Sequence, residues 1–275
     1  MSRVHRLLTV VMLLILGSPP LAFAQDVIAT LGVTRTMKST ILGEDRKVFV
    51  RVPASYDTSG NAYPVLYLLD GTPGSLLEMI AITTRLRNDH NAPEMIIVAI
   101  ENTNRDRDMM PVVAKDYPGP PRAEAFLGFL EKELIPEIEK AYHTTQPRIL
   151  MGRSLSGLFT VYALLARPTG FNGYVGCSAG WFAENNGYFS ELSTRAFGTM
   201  ESFANRRVFM ANSLHDQYDP DHAIHRQMVG FSQLIKRNLG EAISYRYETY
   251  DNYPHVPFPC LYDGLRFVTM VQSKK

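Results

Sequence analysis

The chain has 275 residues, with 28 Lys plus Arg against 27 Asp plus Glu, a net charge of +1 and two cysteines. A charge so near zero leaves no electrostatic footprint for nucleic acid. Two cysteines make no disulfide framework, so Cys177 and Cys260 either pair or sit as separate buried thiols.

Residues 1–24 read as a targeting segment. Arg3, His5 and Arg6 make a basic start, Leu7 to Leu16 is almost wholly apolar, and Ala22-Phe23-Ala24 offers small residues at a cleavage site. The apolar run falls short of the roughly 20 residues that span a bilayer. A signal peptide over 1–24 leaves 25–275 as a single domain, exported to the periplasm or beyond, with no stable membrane insertion. Its net charge is then −1, because Arg3 and Arg6 go with the leader.

The first patterned stretch covers 25–47, and Val48 to Val52 reads as a strand ended by Pro53. Val65 to Leu69 is apolar throughout and stops at Asp70-Gly71. A run with no polar alternation predicts a central parallel strand covered on both faces. Met95 to Ile100, Ile149 to Met151, Tyr174 to Cys177 and Val208 to Ala211 repeat that pattern, whereas Tyr245 to Tyr250 alternates and is placed nearer an edge. Helical spacing appears at Leu76–Asn88, Ala123–Tyr142 with a kink or break at Pro136, Leu155–Ala166, Ala223–Asn238 before Gly240, and Leu261–Val271. Strand and helix alternate, which predicts a three-layer α/β/α sandwich around a mostly parallel sheet. The polar, proline-rich segment from Asn102 to Pro121 is long for a plain connection and is expected to line or cover a site.

Ligands of such sheets sit beyond the carboxyl ends of the strands. Asp70, Asn102, Ser154, Ser178 and Asp216 all follow apolar runs. Ser154 lies between a short strand and a helix in Gly152-Arg-Ser-Leu-Ser-Gly157, the layout of a nucleophile elbow, except that Ser156 stands where G-x-S-x-G has its second glycine. A serine hydroxyl needs an imidazole base, and the base a carboxylate. His255, on the loop before the last helix, is the expected base. The loop after Val208–Ala211 supplies the acid, Asp216 first and Asp219 as the alternative, with Asp221 read as a helix cap. Asp251 sits too close to His255 along the chain to be preferred. Backbone N–H groups of Leu155, Gly71 and Thr72 are the expected oxyanion donors. Arg105, Arg107, Trp181 and His215 are candidate pocket residues, Arg107 and Asp108 being read first as a brace for their loop. His222 and His225 are three apart, but no third ligand has metal-site spacing. No metal or cofactor is expected, since no phosphate loop or dinucleotide fingerprint occurs either.

Five segments, in order, resemble an esterase branch of the α/β-hydrolases that includes esterase D-like enzymes, siderophore esterases and bacterial feruloyl-type esterases. They are Tyr63–Gly71, Ile100–Pro111, Phe126–Pro136, Ile149–Leu158, and His255 with Leu261–Phe267. The elbow departs from the family's GHSLGGL pattern by Arg153 and Ser156, and Val256-Pro257 departs after the histidine. The resemblance implies an α/β-hydrolase fold and a serine hydrolase with Ser154 as nucleophile and His255 as base. It implies Asp216 less directly, because the acid segment matches least. The expected activity is hydrolysis of a small-molecule or glycoconjugate ester through an acyl-enzyme. The alternatives are acyl transfer to an alcohol by the same groups, and a non-catalytic binding protein of the same fold.

Overall fold

A computed structural model describes residues 30–114, 119–179 and 187–270. The leader reading of 1–24 and the candidate pocket residue Trp181 lie outside the described residues.

The first two strands, β1 (Val33–Ser39) and β2 (Glu44–Arg51), form an antiparallel pair. A short turn of helix, α1 (Tyr56–Ser59), leads to β3 (Tyr63–Leu68), whose six residues are all buried. Then come α2 (Pro73–Asn88), β4 (Ile96–Ile100) and α3 (Arg105–Met109). The predicted long helix is present as α4 (Ala123–Phe129), a π-helical turn at Leu130–Leu134 and α5 (Ile135–Ala141). Pro136 opens the last of these, where a helix tolerates a missing N–H, so the expected break becomes a widened turn. Next are β5 (Thr144–Arg153), α6 (Leu155–Ala166) and β6 (Gly173–Cys177). The chain continues with α7 (Tyr188–Phe197), β7 (Arg206–Ser213), α8 (Ala223–Leu239), β8 (Ile243–Tyr250) and α9 (Phe258–Thr269).

The eight strands form one sheet in the order β1-β2-β4-β3-β5-β6-β7-β8. The two pairings of β2 are antiparallel, and every pairing from β4 across to β8 is parallel. The alternating strand, β8, is indeed the edge. In β3, Val65 and Tyr67 face one apolar layer with Leu69, while Leu66 and Leu68 face the other, the period-two consequence of the pleat. The first layer is filled by Phe126 and Leu127 of α4, Leu158 and Phe159 of α6 and Met228 and Phe231 of α8. The second is filled by Leu76, Met79 and Leu86 of α2 and Leu261 and Leu265 of α9. Helices cover both faces of a mostly parallel sheet, which is the α/β fold expected.

Cys177 and Cys260, 83 positions apart in sequence and both fully buried, are joined by a disulfide. It ties the carboxyl end of β6 to the first turn of α9. Among the described residues no helix is long and apolar enough to cross a membrane.

Candidate active site

Parallel strands deliver their carboxyl ends to one edge, and the candidate residues collect there. Ser154 follows β5 directly and caps α6 at φ 56° and ψ −125°. A non-glycine residue at positive φ is strained and needs its surroundings to hold it. The Ser154 N–H bonds to Cys177 O at 2.8 Å, and its carbonyl accepts from Leu158 N–H at 2.9 Å. The turn is tight on two sides. A Cβ on Gly152 would lie 2.1 Å from Ser156 O, and one on Gly157 would lie 2.7 Å from Cys177 O. The glycines at 152 and 157 therefore occupy the crowded positions.

Ser156 points elsewhere. Its buried Oγ donates to Asp70 Oδ2 at 2.8 Å and accepts from Arg153 N–H at 2.7 Å. Asp70 lies two residues beyond the end of β3, at φ 54°. Its carboxylate also receives Asn102 Nδ2 at 2.7 Å and a two-pronged grip from Arg105, Nε at 2.7 Å and Nη2 at 2.8 Å. Burial alone would raise the Asp70 carboxyl, but the Arg105 guanidinium, with Asn102 and Ser156, outweighs it and holds the group below its ordinary value. One carboxylate thus joins the loop after β3, the loop after β4 and the elbow. This network spans 86 residues between Asp70 and Ser156, and no local sequence signal announces it.

The histidine loop comes from β8. His255 Nε2 lies 2.8 Å from Ser154 Oγ, and Nδ1 lies 2.5 Å from Asp216 Oδ2. With Nδ1 protonated toward the carboxylate, Nε2 remains the acceptor for the serine hydroxyl. Asp216 is buried, and its other oxygen accepts the N–H of Tyr218 at 2.9 Å. Ser178 Oγ donates to His255 O, and Ser178 N–H bonds to Ala211 O at 2.7 Å. The adjacent disulfide at Cys177 to Cys260 brackets the same loop.

Of the two candidate acids, the structure brings Asp216 to His255 and takes Asp219 away. Asp219 accepts the N–H groups of Ile224 at 2.9 Å and His225 at 2.8 Å, satisfying free donors in the first turn of α8. The cap expected of Asp221 is therefore made by Asp219. Asp251 and His215 pair with each other at 2.7 Å on the exposed surface, which removes His215 from the pocket. Arg107 also leaves the pocket. It makes two bonds to Glu44, at 3.0 and 2.7 Å, and one to Asp108, bracing α3 against β2. Arg105 stays at the site edge as the partner of Asp70. His225 Nδ1 lies 3.4 Å from the Tyr247 hydroxyl, and among the described residues no group of three or more His, Cys, Asp or Glu side chains is placed to hold a metal ion.

The oxyanion donors need a correction. Gly71 N–H already bonds to Ile100 O at 2.7 Å, extending the β3–β4 edge. Thr72 N–H bonds to Ser75 Oγ at 2.8 Å in a reciprocal capping box that opens α2. Both donors have internal partners. Leu155, at the first position of α6, is the expected donor that remains, because no residue precedes it in the helix to accept its N–H.

A parallel α/β sheet with serine, histidine and aspartate in hydrogen-bonded series at its carboxyl edge defines the α/β-hydrolase class. A family model described as "Putative esterase" matches residues 39–250, and the chain belongs to that family; it is a carboxylic ester hydrolase. The solved IroE-like serine hydrolase of Shewanella oneidensis superimposes with a TM-score of 0.75 at 26% identity, covering 85% of this chain and 78% of that one. The uncharacterized protein YbbA of Bacillus subtilis is 26% identical over 72% of this chain and 79% of its own length. The ferri-bacillibactin esterase BesA of Bacillus subtilis is 30% identical over 51% of this chain and 55% of its own length. The chain thus spans about half the length of that named esterase.

Proposed function

We propose that Ser154, His255 and Asp216 are the nucleophile, base and orienting acid of an exported hydrolase acting on a small-molecule ester of the siderophore kind. The observation that carries the reading is the unbroken series Ser154–His255–Asp216, at 2.8 and 2.5 Å. His255 takes the Ser154 proton as Oγ attacks the ester carbonyl. The oxyanion is met by Leu155 N–H, aided by the positive end of α6. Collapse expels the alcohol, which takes the proton from His255. Water, deprotonated by the same imidazole, then releases the acid and restores the serine. Asp216 accepts the hydrogen bond from Nδ1 and holds the ring in the tautomer that the first step needs.

The siderophore reading is supported by the relative that acts on ferri-bacillibactin. Export is supported by the leader pattern over 1–24 and by the Cys177–Cys260 disulfide, a bond that persists in oxidising compartments.

The test is fluorophosphonate labelling together with mass spectrometry of ferri-bacillibactin after incubation. Wild type should take the label and cleave the ester, and Ser154→Ala should do neither. Asp216→Asn should lower kcat by about 10⁴ while leaving the fold intact. If Ser154→Ala labels and cleaves as wild type does, the assignment is wrong.

A further inference from the structure

The base sits on a stretch with no strand or helix of its own, residues 251–257 between β8 and α9. An imidazole there is only as well placed as the backbone that carries it, and a misplacement of about 1 Å can cost about 10²-fold in rate. Two buried serines reach into this loop. Ser213, the last residue of β7, donates its hydroxyl to Tyr253 O at 2.5 Å. Ser178, directly after β6, donates its hydroxyl to the carbonyl of His255 itself, 77 positions along the chain.

Ser178 is 1% exposed and takes φ 51°. That is strained backbone for a residue with a side chain, and such strain persists only where the surroundings hold it. Here the Ser178 N–H is tied to Ala211 O at 2.7 Å. The preceding residue holds the other partner, since Cys177 O accepts the Ser154 N–H at 2.8 Å. Two consecutive residues at the end of β6 therefore grip the nucleophile by its N–H and the base by its carbonyl. Ser154 Oγ and His255 Nε2 lie 2.8 Å apart beside them.

We propose that Ser178 is a positioning residue for the hydrolysis: its hydroxyl fixes the His255 peptide so that Nε2 stays within hydrogen-bond reach of Ser154 Oγ. It acts through His255 and not on the ester. The proposal rests on the serine esterase reading and adds a residue to it. The competing role is a staple that only stabilises the fold. The two roles separate because the strain at Ser178 and its hydroxyl can be removed independently. Ser178→Ala removes the hydroxyl and keeps a side chain at positive φ. Ser178→Gly removes the same hydroxyl and relaxes the backbone, since glycine takes positive φ freely.

The experiment measures urea midpoints, the rate of fluorophosphonate labelling, and kcat and KM on p-nitrophenyl acetate, for wild type and both variants. The glycine variant should have the higher urea midpoint of the two. Both variants should nevertheless lose kcat and labelling rate to the same extent, about tenfold to hundredfold, with KM within about twofold of wild type. Activity that follows the urea midpoint, with the glycine variant close to wild type, overturns the proposal in favour of the staple. A loss confined to KM overturns it as well. Should the alanine variant fail to fold, the glycine variant against wild type decides. A labelled, active wild type with an undiminished glycine variant removes the proposal alone. Folded wild type whose Ser154 takes no label and which cleaves no ester removes the esterase reading with it.

Discussion

Ser156 shows how a departure at one position acquires a partner. Sequence alone presents it as a small intrusion into a tight turn. In the fold its hydroxyl completes the coordination of Asp70, a buried carboxylate also held by Arg105 and Asn102. Ser156→Ala should cost about 1.5–3 kcal/mol at neutral pH, the worth of a hydrogen bond to a charged group, read from urea denaturation. The pH dependence has a definite sign. The Asp70 carboxyl is held below its ordinary value of 3.8, so its stabilising contribution is complete above that value and is lost as pH falls through the folded value. The difference between wild type and Ser156→Ala should therefore shrink in acid below pH 3.8. A difference that grows in acid would contradict the assignment of Asp70 as the acceptor. The hydrogen-bonded series of Ser154, His255 and Asp216 was legible because each residue follows a strand end in the expected chain order. Asp70 as a hub was not, because its partners are 32, 35 and 86 positions away.

Elements were legible where one periodicity dominated. β3 and β4 are uniformly apolar and uniformly buried, and α6 runs over Leu155–Ala166 as its spacing predicts. The failures have local causes. α3 hides in a charged, proline-rich stretch because Asn104 caps it and, apart from the buried Met109, its residues are charged and ion pairs tie it down, so no apolar periodicity marks it. The cap of α8 moved from Asp221 to Asp219 because carboxylates two apart carry the same signal, and only the path of the loop chooses between them. α9 shows how closely an element can approach the sheet. A Cβ on Gly264 would lie 2.5 Å from Val175 Cγ1 and 3.0 Å from Phe209 Cδ1. Gly264→Ala should therefore destabilise the protein by about 1–3 kcal/mol through overpacking, despite the better helix propensity of alanine. Chemical denaturation measures it, and a stabilised variant would mean that α9 can lift away freely.

At the scale of the molecule, α/β alternation was readable, but strand order was not. β4 lies between β2 and β3, an arrangement fixed by long-range pairing that no local window contains. The cysteine pairing was equally closed to sequence, because two thiols far apart in the chain carry no distance information until β6 and α9 are placed together. Their bond closes a long segment of chain, for which the loop-entropy model gives about 4.5 kcal/mol. Cys177→Ser with Cys260→Ser should lower the urea midpoint accordingly, and reductant should lower wild type but leave the double variant unchanged.

The same bond has a consequence for survival among proteases. Asp216 and His255 both lie between Cys177 and Cys260, while Ser154 lies before the first of them. A single backbone cut anywhere inside that closed segment leaves two polypeptides that remain one covalent particle. The piece that carries Ser154 stays tethered to the piece beyond the break, so the two can hold together through sheet and disulfide rather than diffuse apart.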